Sequence, residues 1–316
     1  MDRKKKIIIT ATLLAVMVLT VGIVGWNTKS LGLHRIAGKD SVAVIHVSGA
    51  IVGGDDSPSQ LTGGGSTTSG GLMKKFRQAR QDDEVKAVLL RIDSPGGSAA
   101  ATQEAAEELL RLKQAGKPVI VSMGDTAASG AYWLASQGDV VYANPSTITG
   151  SIGVYIAYYD LQGLSSKLGV SEEKIKSGPH KDIFSPFRPM TEEERQMTQS
   201  MVDSMYNQFV AVVAQGRHMD EDKVRALADG RVFTGEQARE LGLVDKTGNY
   251  YDALAEAGRL IGADPDDVPV VEYNDSLSLK DLLHSESAMS QWLQTRLGAG
   301  TDVPLPLLVM KGAWQR

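Results

Sequence analysis

The chain has 316 residues, enough for one large domain or two modest ones with an ample core. Acidic residues outnumber basic ones, 38 Asp and Glu against 33 Lys and Arg, and the net charge of −5 speaks against nucleic-acid binding. There is no cysteine, which excludes disulfides, thiolate catalysis and cysteine metal sites.

The chain opens with the basic run Arg3-Lys4-Lys5-Lys6, then stays uncharged and apolar from Ile7 to Thr28. A helix of about 20 residues, rising about 1.5 Å per residue, spans a hydrocarbon core of about 30 Å. Trp26 falls where an interfacial aromatic belongs. No A-x-A-like cleavage site follows, and the run is long for a signal peptide, so residues 1–28 are expected to be a retained anchor. Its basic end favours a cytoplasmic N-terminus, with the rest of the chain extracytoplasmic. Residues 29–40 read as a short polar stalk.

From there strand and helix patterns alternate. SVAVIHV (41–47) is a β-branched strand, and GGDDSPSQLTGGGSTTSGG (53–71) is a flexible loop. No lysine follows those glycines in the frame of a phosphate-binding loop. Helix 72–81, strand 85–92, helix 99–116, strand 118–123, a helix from Ser129 onward and strand 139–143 come next. Alternation at this spacing implies parallel βαβ units. Residues 175–188 hold Gly178, Pro179 and Pro186 and are a loop. A helix follows at 191–216, with Thr191 and Glu194 as a capping box and Met197, Met201, Met205, Phe209 and Val212 as a packing stripe. KVRALADG and GEQARELG are two more short helices, and residues 263–316 form an appendage.

Three stretches carry candidate chemistry. RIDSPGGSAA (91–100) turns from a strand into a helix through Gly96 and Gly97. Parallel sheets place ligands at the carboxyl ends of strands. Glycines there expose N–H groups that could stabilise a developing oxyanion by about 3–4 kcal/mol each. Taken alone, they are more readily explained by a plain turn needing positive φ, since turn glycines are common. MGDTAASGAYWLAS (123–136) follows the next strand and presents Ser129 among small residues, with the Gly130 N–H as a second donor. It lacks G-x-S-x-G, and simple tight packing is the alternative. In IKSGPHKDIFSPFR (175–188), Lys181 is a candidate base. An ammonium with a pKa near 10.4 becomes a base only when desolvated. Most lysines are solvated charges, and a Ser–His–Asp set using His180 and Asp182 fits the same spacing. The other histidines are His34, His46, His218 and His284, in the stalk, a strand, a helix end and the tail. No H-E-x-x-H or clustered His/Asp pattern offers a metal site.

Five segments then carry a resemblance: RIDSPGGS, VSMGDTAASGAYWLAS, ANPSTITGSIGV, IKSGPHKDIFSPFRPMTEEE and DGRVFTGEQARELGLVD. In this order they resemble the signal peptide peptidase A family, in its short membrane-anchored bacterial form. The resemblance implies an α/β fold of repeated ββα units, shared with Clp protease and the crotonases, over residues 41–262. It implies a serine endopeptidase without cofactor or metal, with Ser129 as nucleophile and Lys181 as general base. Ser151 would orient the lysine, and the N–H groups of Gly96 or Gly97 with Gly130 would form the oxyanion hole. It further implies a ring or dome of identical subunits, with the lysine able to come from a neighbour. Substrates would be remnant signal peptides and misfolded exported proteins, and the bilayer would be met through residues 7–28. The family's usual Gly-Gly after the serine is Gly130-Ala131 here. Two rival readings are a crotonase-type acyl-coenzyme A enzyme, which forms no acyl-serine, and a non-catalytic membrane-anchored scaffold.

Overall fold

A computed structural model describes residues 40–55 and 65–273. The expected anchor, the stalk up to residue 39 and the appendage from 274 onward lie outside the described residues. Among the described residues no helix is long and apolar enough to cross a membrane.

The chain forms strands β1 (Ser41–Ser48), β2 (Ala50–Val52) and β3 (Ser66–Thr68), helix α1 (Ser69–Gln81), β4 (Val85–Ser94), α2 (Ala99–Gln114), β5 (Val119–Ala128) and α3 (Gly130–Ala135). Then come β6 (Val140–Ala143), β7 (Ile148–Gly150), α4 (Gln162–Leu168), α5 (Glu192–Arg217), α6 (Glu221–Leu227), β8 (Val232–Thr234), α7 (Gly235–Glu240), β9 (Lys246–Thr247), α8 (Tyr250–Leu260) and β10 (Val270–Glu272). The main sheet runs β10-β1-β4-β5-β6-β9, with β7 beside β5 and β8 beside β7. Every pairing in it is parallel except β7 with β8. This is the mixed α/β architecture expected, and it fits a Clp protease/crotonase-like plan.

The sheet is covered on both faces, which is why β4 and β5 read as nearly unbroken apolar runs rather than alternating ones. Side chains on β1 divide by the strand's period of two. Ala43, Ile45 and Val47 join the larger core with Phe76, Leu109, Tyr132 and Phe209. Val42 and Val44 join the smaller one beneath Ala253 and Ala257 of α8.

Three details depart from the sequence expectations. The segment 53–71 is not loop throughout. Ser66–Thr68 pairs with β2 as a second, two-stranded parallel sheet, and Thr68 caps α1 by accepting from the Gly71 N–H. Threonine suits both roles, a β-branched strand residue and an N-cap. The sheet also runs past residue 262, because β10 pairs in parallel with β1. Finally, the Met stripe of α5 packs only in part. Met197 and Met201 are exposed, and burial along the packing face begins at Phe209. Core packing along this long helix begins at Tyr206, in its second half.

Candidate active site

The site is built where β5 changes neighbours. Its first half, Ile120–Met123, pairs with β6, and its second half, Thr126–Ala128, pairs with β7. On the other side the register with β4 shifts between Ile92 and Ser94. Two buried threonines bolt the second half in place. Thr147 Oγ1 donates to the Gly124 carbonyl and Thr149 Oγ1 to the Ala127 carbonyl, each at 2.7 Å.

Ser129 stands at the end of this strand, with φ 54° and ψ −125°, and α3 begins at the next residue. Positive φ is costly for a residue with a Cβ, and such strain gathers at functional sites. The surroundings enforce it. The Ser129 N–H donates to the Gly150 carbonyl at 2.9 Å, and its own carbonyl accepts from the Trp133 N–H at 3.0 Å. Ser129 is half-buried, and its Oγ has no hydrogen-bond partner among the described residues.

The glycines of the strand-to-helix turn press against it. Gly96 has φ 95°, and a Cβ there would lie 2.7 Å from the Gly130 nitrogen and 2.8 Å from Ser129 Cβ. Its N–H is already bound by Ser94 Oγ at 3.1 Å. Gly97 is held by Ile51, whose N–H donates to the Gly96 carbonyl at 2.9 Å and whose carbonyl accepts from the Ser98 N–H at 2.8 Å. That leaves the Gly97 N–H without a partner among the described residues. The Gly130 N–H is the first of its helix and has none within it. Gly97 and Gly130 adjoin, since a Cβ on Gly130 would come 3.3 Å from the Gly97 nitrogen and 2.6 Å from Thr102 Oγ1.

Ser151 is the second left-handed serine, at φ 49°. Its N–H donates to the Arg231 carbonyl at 2.8 Å, and the Gly230 N–H donates to the Ile152 carbonyl at 3.1 Å. Ser129, Ser151, Gly96, Gly97 and Gly130 therefore form one cluster.

Lys181 lies on the chain's surface, with no hydrogen bond to that cluster among the described residues. It is exposed, and its Nζ makes no hydrogen bond or ion pair among the described residues. Its segment, about residues 154–190, bonds within itself and to the start of α5, not to the serine cluster. Around it, Arg188 binds Asp182 and Glu194 together. Hydrogen bonds from Arg188 and then Lys176 hold the Asp182 carboxyl well below the usual carboxylate range. Hydrogen bonds from Arg188 and then the Thr191 N–H lower that of Glu194 to about 2.

Residues 111–264 match the profile of peptidase family S49. The chain is 42% identical over 208 residues to "Putative protease slr0021" of Synechocystis sp., covering 66% of this chain and 75% of that protein. The chain belongs to peptidase family S49. As an S49 serine peptidase it bears out the resemblance to the signal peptide peptidase A group. It is also 43% identical over 163 residues to "Putative signal peptide peptidase SppA" of Enterococcus faecium, over 52% of this chain and 47% of that one. Protease 4 of Salmonella typhi is 39% identical over 220 residues, 70% of this chain and 34% of its own. The chain thus spans half or less of the last two relatives. The S49 match contains Ser129, Ser151 and Lys181, while Gly96 and Gly97 precede it.

The sequence reading missed the supports of the site. Ile51 sits far from the glycines in the chain, yet its backbone fixes Gly97. Arg231 holds Ser151 through a main-chain carbonyl, which no side-chain pattern announces. Thr102 did carry a signal, lying one turn into the helix that follows the glycine turn.

Proposed function

We propose that this S49 peptidase hydrolyses peptide bonds through an acyl-enzyme on Ser129, with Lys181 as general base. Ser129 carries the reading: a strained, half-buried serine whose Oγ, like the adjacent Gly97 and Gly130 N–H groups, has no partner among the described residues. Neutral Lys181 takes the Ser129 proton while Oγ attacks the scissile carbonyl, and the Gly97 and Gly130 N–H groups receive the oxyanion. The protonated lysine then gives its proton to the leaving amine. Water, activated by the same lysine, attacks the ester and frees the acid. Gly96 serves by having no side chain, which lets Ser129 and Gly130 approach. Ser151 orients the lysine.

Since Lys181 is exposed in the single chain, its desolvation at a serine falls to a second copy. The apolar residues left open on its segment support such assembly. Tyr155, Leu164, Leu168 and Ile175 are all more than half exposed. The proposed whole is a membrane-anchored homo-oligomer, held through residues 7–28, with its catalytic domain outside the cytoplasm. Its proposed substrates are signal peptides, the class that the name of the Enterococcus relative carries, together with misfolded exported proteins. Peptide hydrolysis and labelling by a serine-directed acylating probe test it. Wild type should cleave and be labelled at Ser129, and Ser129→Ala and Lys181→Ala should do neither. An active Lys181→Ala beside an inactive His180→Ala would replace the dyad with a histidine base.

A further inference from the structure

Lys181 sits between two residues that are both drawn toward the start of α5. Asp182 is gripped by Arg188 through Nε to Oδ2 at 3.1 Å, Nη2 to Oδ1 at 2.8 Å and Nη2 to its main-chain carbonyl at 3.2 Å. The same guanidinium reaches Glu194 through Nη1 to Oε2 at 2.8 Å and Nη2 to Oε1 at 2.6 Å. Glu194 is buried and also closes the capping box of α5, accepting from the Thr191 N–H at 3.0 Å. On the other flank, His180 places Nε2 3.6 Å from Glu193 and Nδ1 3.8 Å from Glu194. His180 Nδ1 is buried without a hydrogen-bond partner.

We propose that Arg188 is a positioning residue for Lys181, which holds the adjacent Asp182 carboxylate against α5 and so keeps it from pairing with the lysine ammonium. This rests on the reading of Lys181 as the general base. A base lysine must lose its proton, and a carboxylate within reach opposes that by favouring the charged form. Asp182 is the carboxylate next to Lys181 in sequence. Its oxygens are instead committed to Arg188 and to Lys176, whose Nζ lies 2.5 Å from Oδ1. Only a planar fork of five donors can bind two carboxylates side by side in this way, which is why lysine would not replace Arg188. Glu172 is likewise occupied, pairing with Lys174 at 2.8 Å and accepting from Ser185 Oγ at 3.1 Å. The turn itself is fixed by main-chain bonds, from the Lys181 N–H to the Gly178 carbonyl and from the Ser185 N–H to the Asp182 carbonyl. Of the cations in 175–188, Lys176 and Arg188 are paired, and Lys181 has no partner among the described residues.

The test is peptide hydrolysis by the full chain across about pH 6–10, for wild type, Arg188→Gln, Asp182→Asn/Arg188→Gln and Lys181→Ala. Melting temperatures are measured alongside. Arg188→Gln should lower kcat/KM near neutral pH about tenfold and move the rise of activity about one pH unit higher. The double variant should return that rise to its wild-type position, because the carboxylate next to the lysine is gone while Glu194 keeps its bond from the Thr191 N–H. A rise that stays in place in Arg188→Gln, or one the double variant fails to restore, overturns the positioning role. An active Lys181→Ala overturns the underlying reading instead.

Discussion

The Ser129 N–H and the Gly150 carbonyl are joined at 2.9 Å, and the peptide group that accepts this bond continues as the nitrogen of Ser151. The two left-handed serines are therefore linked through one peptide group. Their conformations are set together by the pairing of β7 with β5 on one side and of Ser151 with Arg231 on the other. Ser129 takes positive φ where its strand ends, and the bond to Gly150 restrains it there.

That restraint is costly, and its release should be measurable. Ser129→Gly removes the Cβ that opposes φ 54°. It should raise unfolding stability by about 1 kcal/mol, the lower end of what such strain costs, since glycine returns some entropy to the unfolded chain. Hydrolysis should vanish at the same time. Urea unfolding against Ser129→Ala checks it, and equal midpoints would show that the backbone is relaxed.

Gly96→Ala places a Cβ 2.7 Å from the Gly130 nitrogen and 2.8 Å from Ser129 Cβ, at a φ of 95°. The clash is with backbone, which cannot swing aside. We expect a loss of about 2–3 kcal/mol in stability and acylation reduced at least a hundredfold. Burst kinetics with an activated ester would report the second effect separately from the first.

Acid should loosen the lysine loop before it unfolds the core. The Glu194 carboxyl, ordinarily near 4.5, is lowered to about 2 in the fold by Arg188 and then by the Thr191 N–H. Its contribution is fully present above 4.5 and is lost as pH falls through about 2. Hydrogen exchange of residues 176–194 should therefore accelerate across that window. Glu194→Gln should exchange faster at neutral pH and lose the dependence.

Leu168 and Ile175 are largely exposed, Ile175 completely so. If they pack against a second copy, Leu168→Asp/Ile175→Asp should lower the assembled mass in light scattering and lower hydrolysis with it. An unchanged mass would remove the segment from any interface.

The parallel α/β plan was legible because βαβ units write a strong alternation of short apolar runs and longer amphipathic ones. Strand β4 and helix α2 fall within two residues of their expected ends. Ser129 and the glycines beside it were legible as strand-end turns. Ser151 came through resemblance alone, for nothing in TGSIG distinguishes it from an ordinary loop serine. β3 and β10 escaped because three-residue strands leave too short a pattern, and their partners are remote in the chain. Arg188 escaped for another reason. Its neighbours in PFRPM describe a turn, and its two carboxylates acquire meaning only once Asp182 and Glu194 meet in space.

The change of neighbours along β5 has a further consequence. Because its first half is locked to β6 and its second to β7, the stretch Gly124–Asp125 works as a spacer of fixed length. Losing one residue there would leave every core strand in place yet turn the downstream side chains to the opposite face. Such a descendant would still build the sheet while Ser129 lost its place beside Gly97 and Gly130. Spacer length is therefore a quick screen for relatives that have traded catalysis for scaffolding.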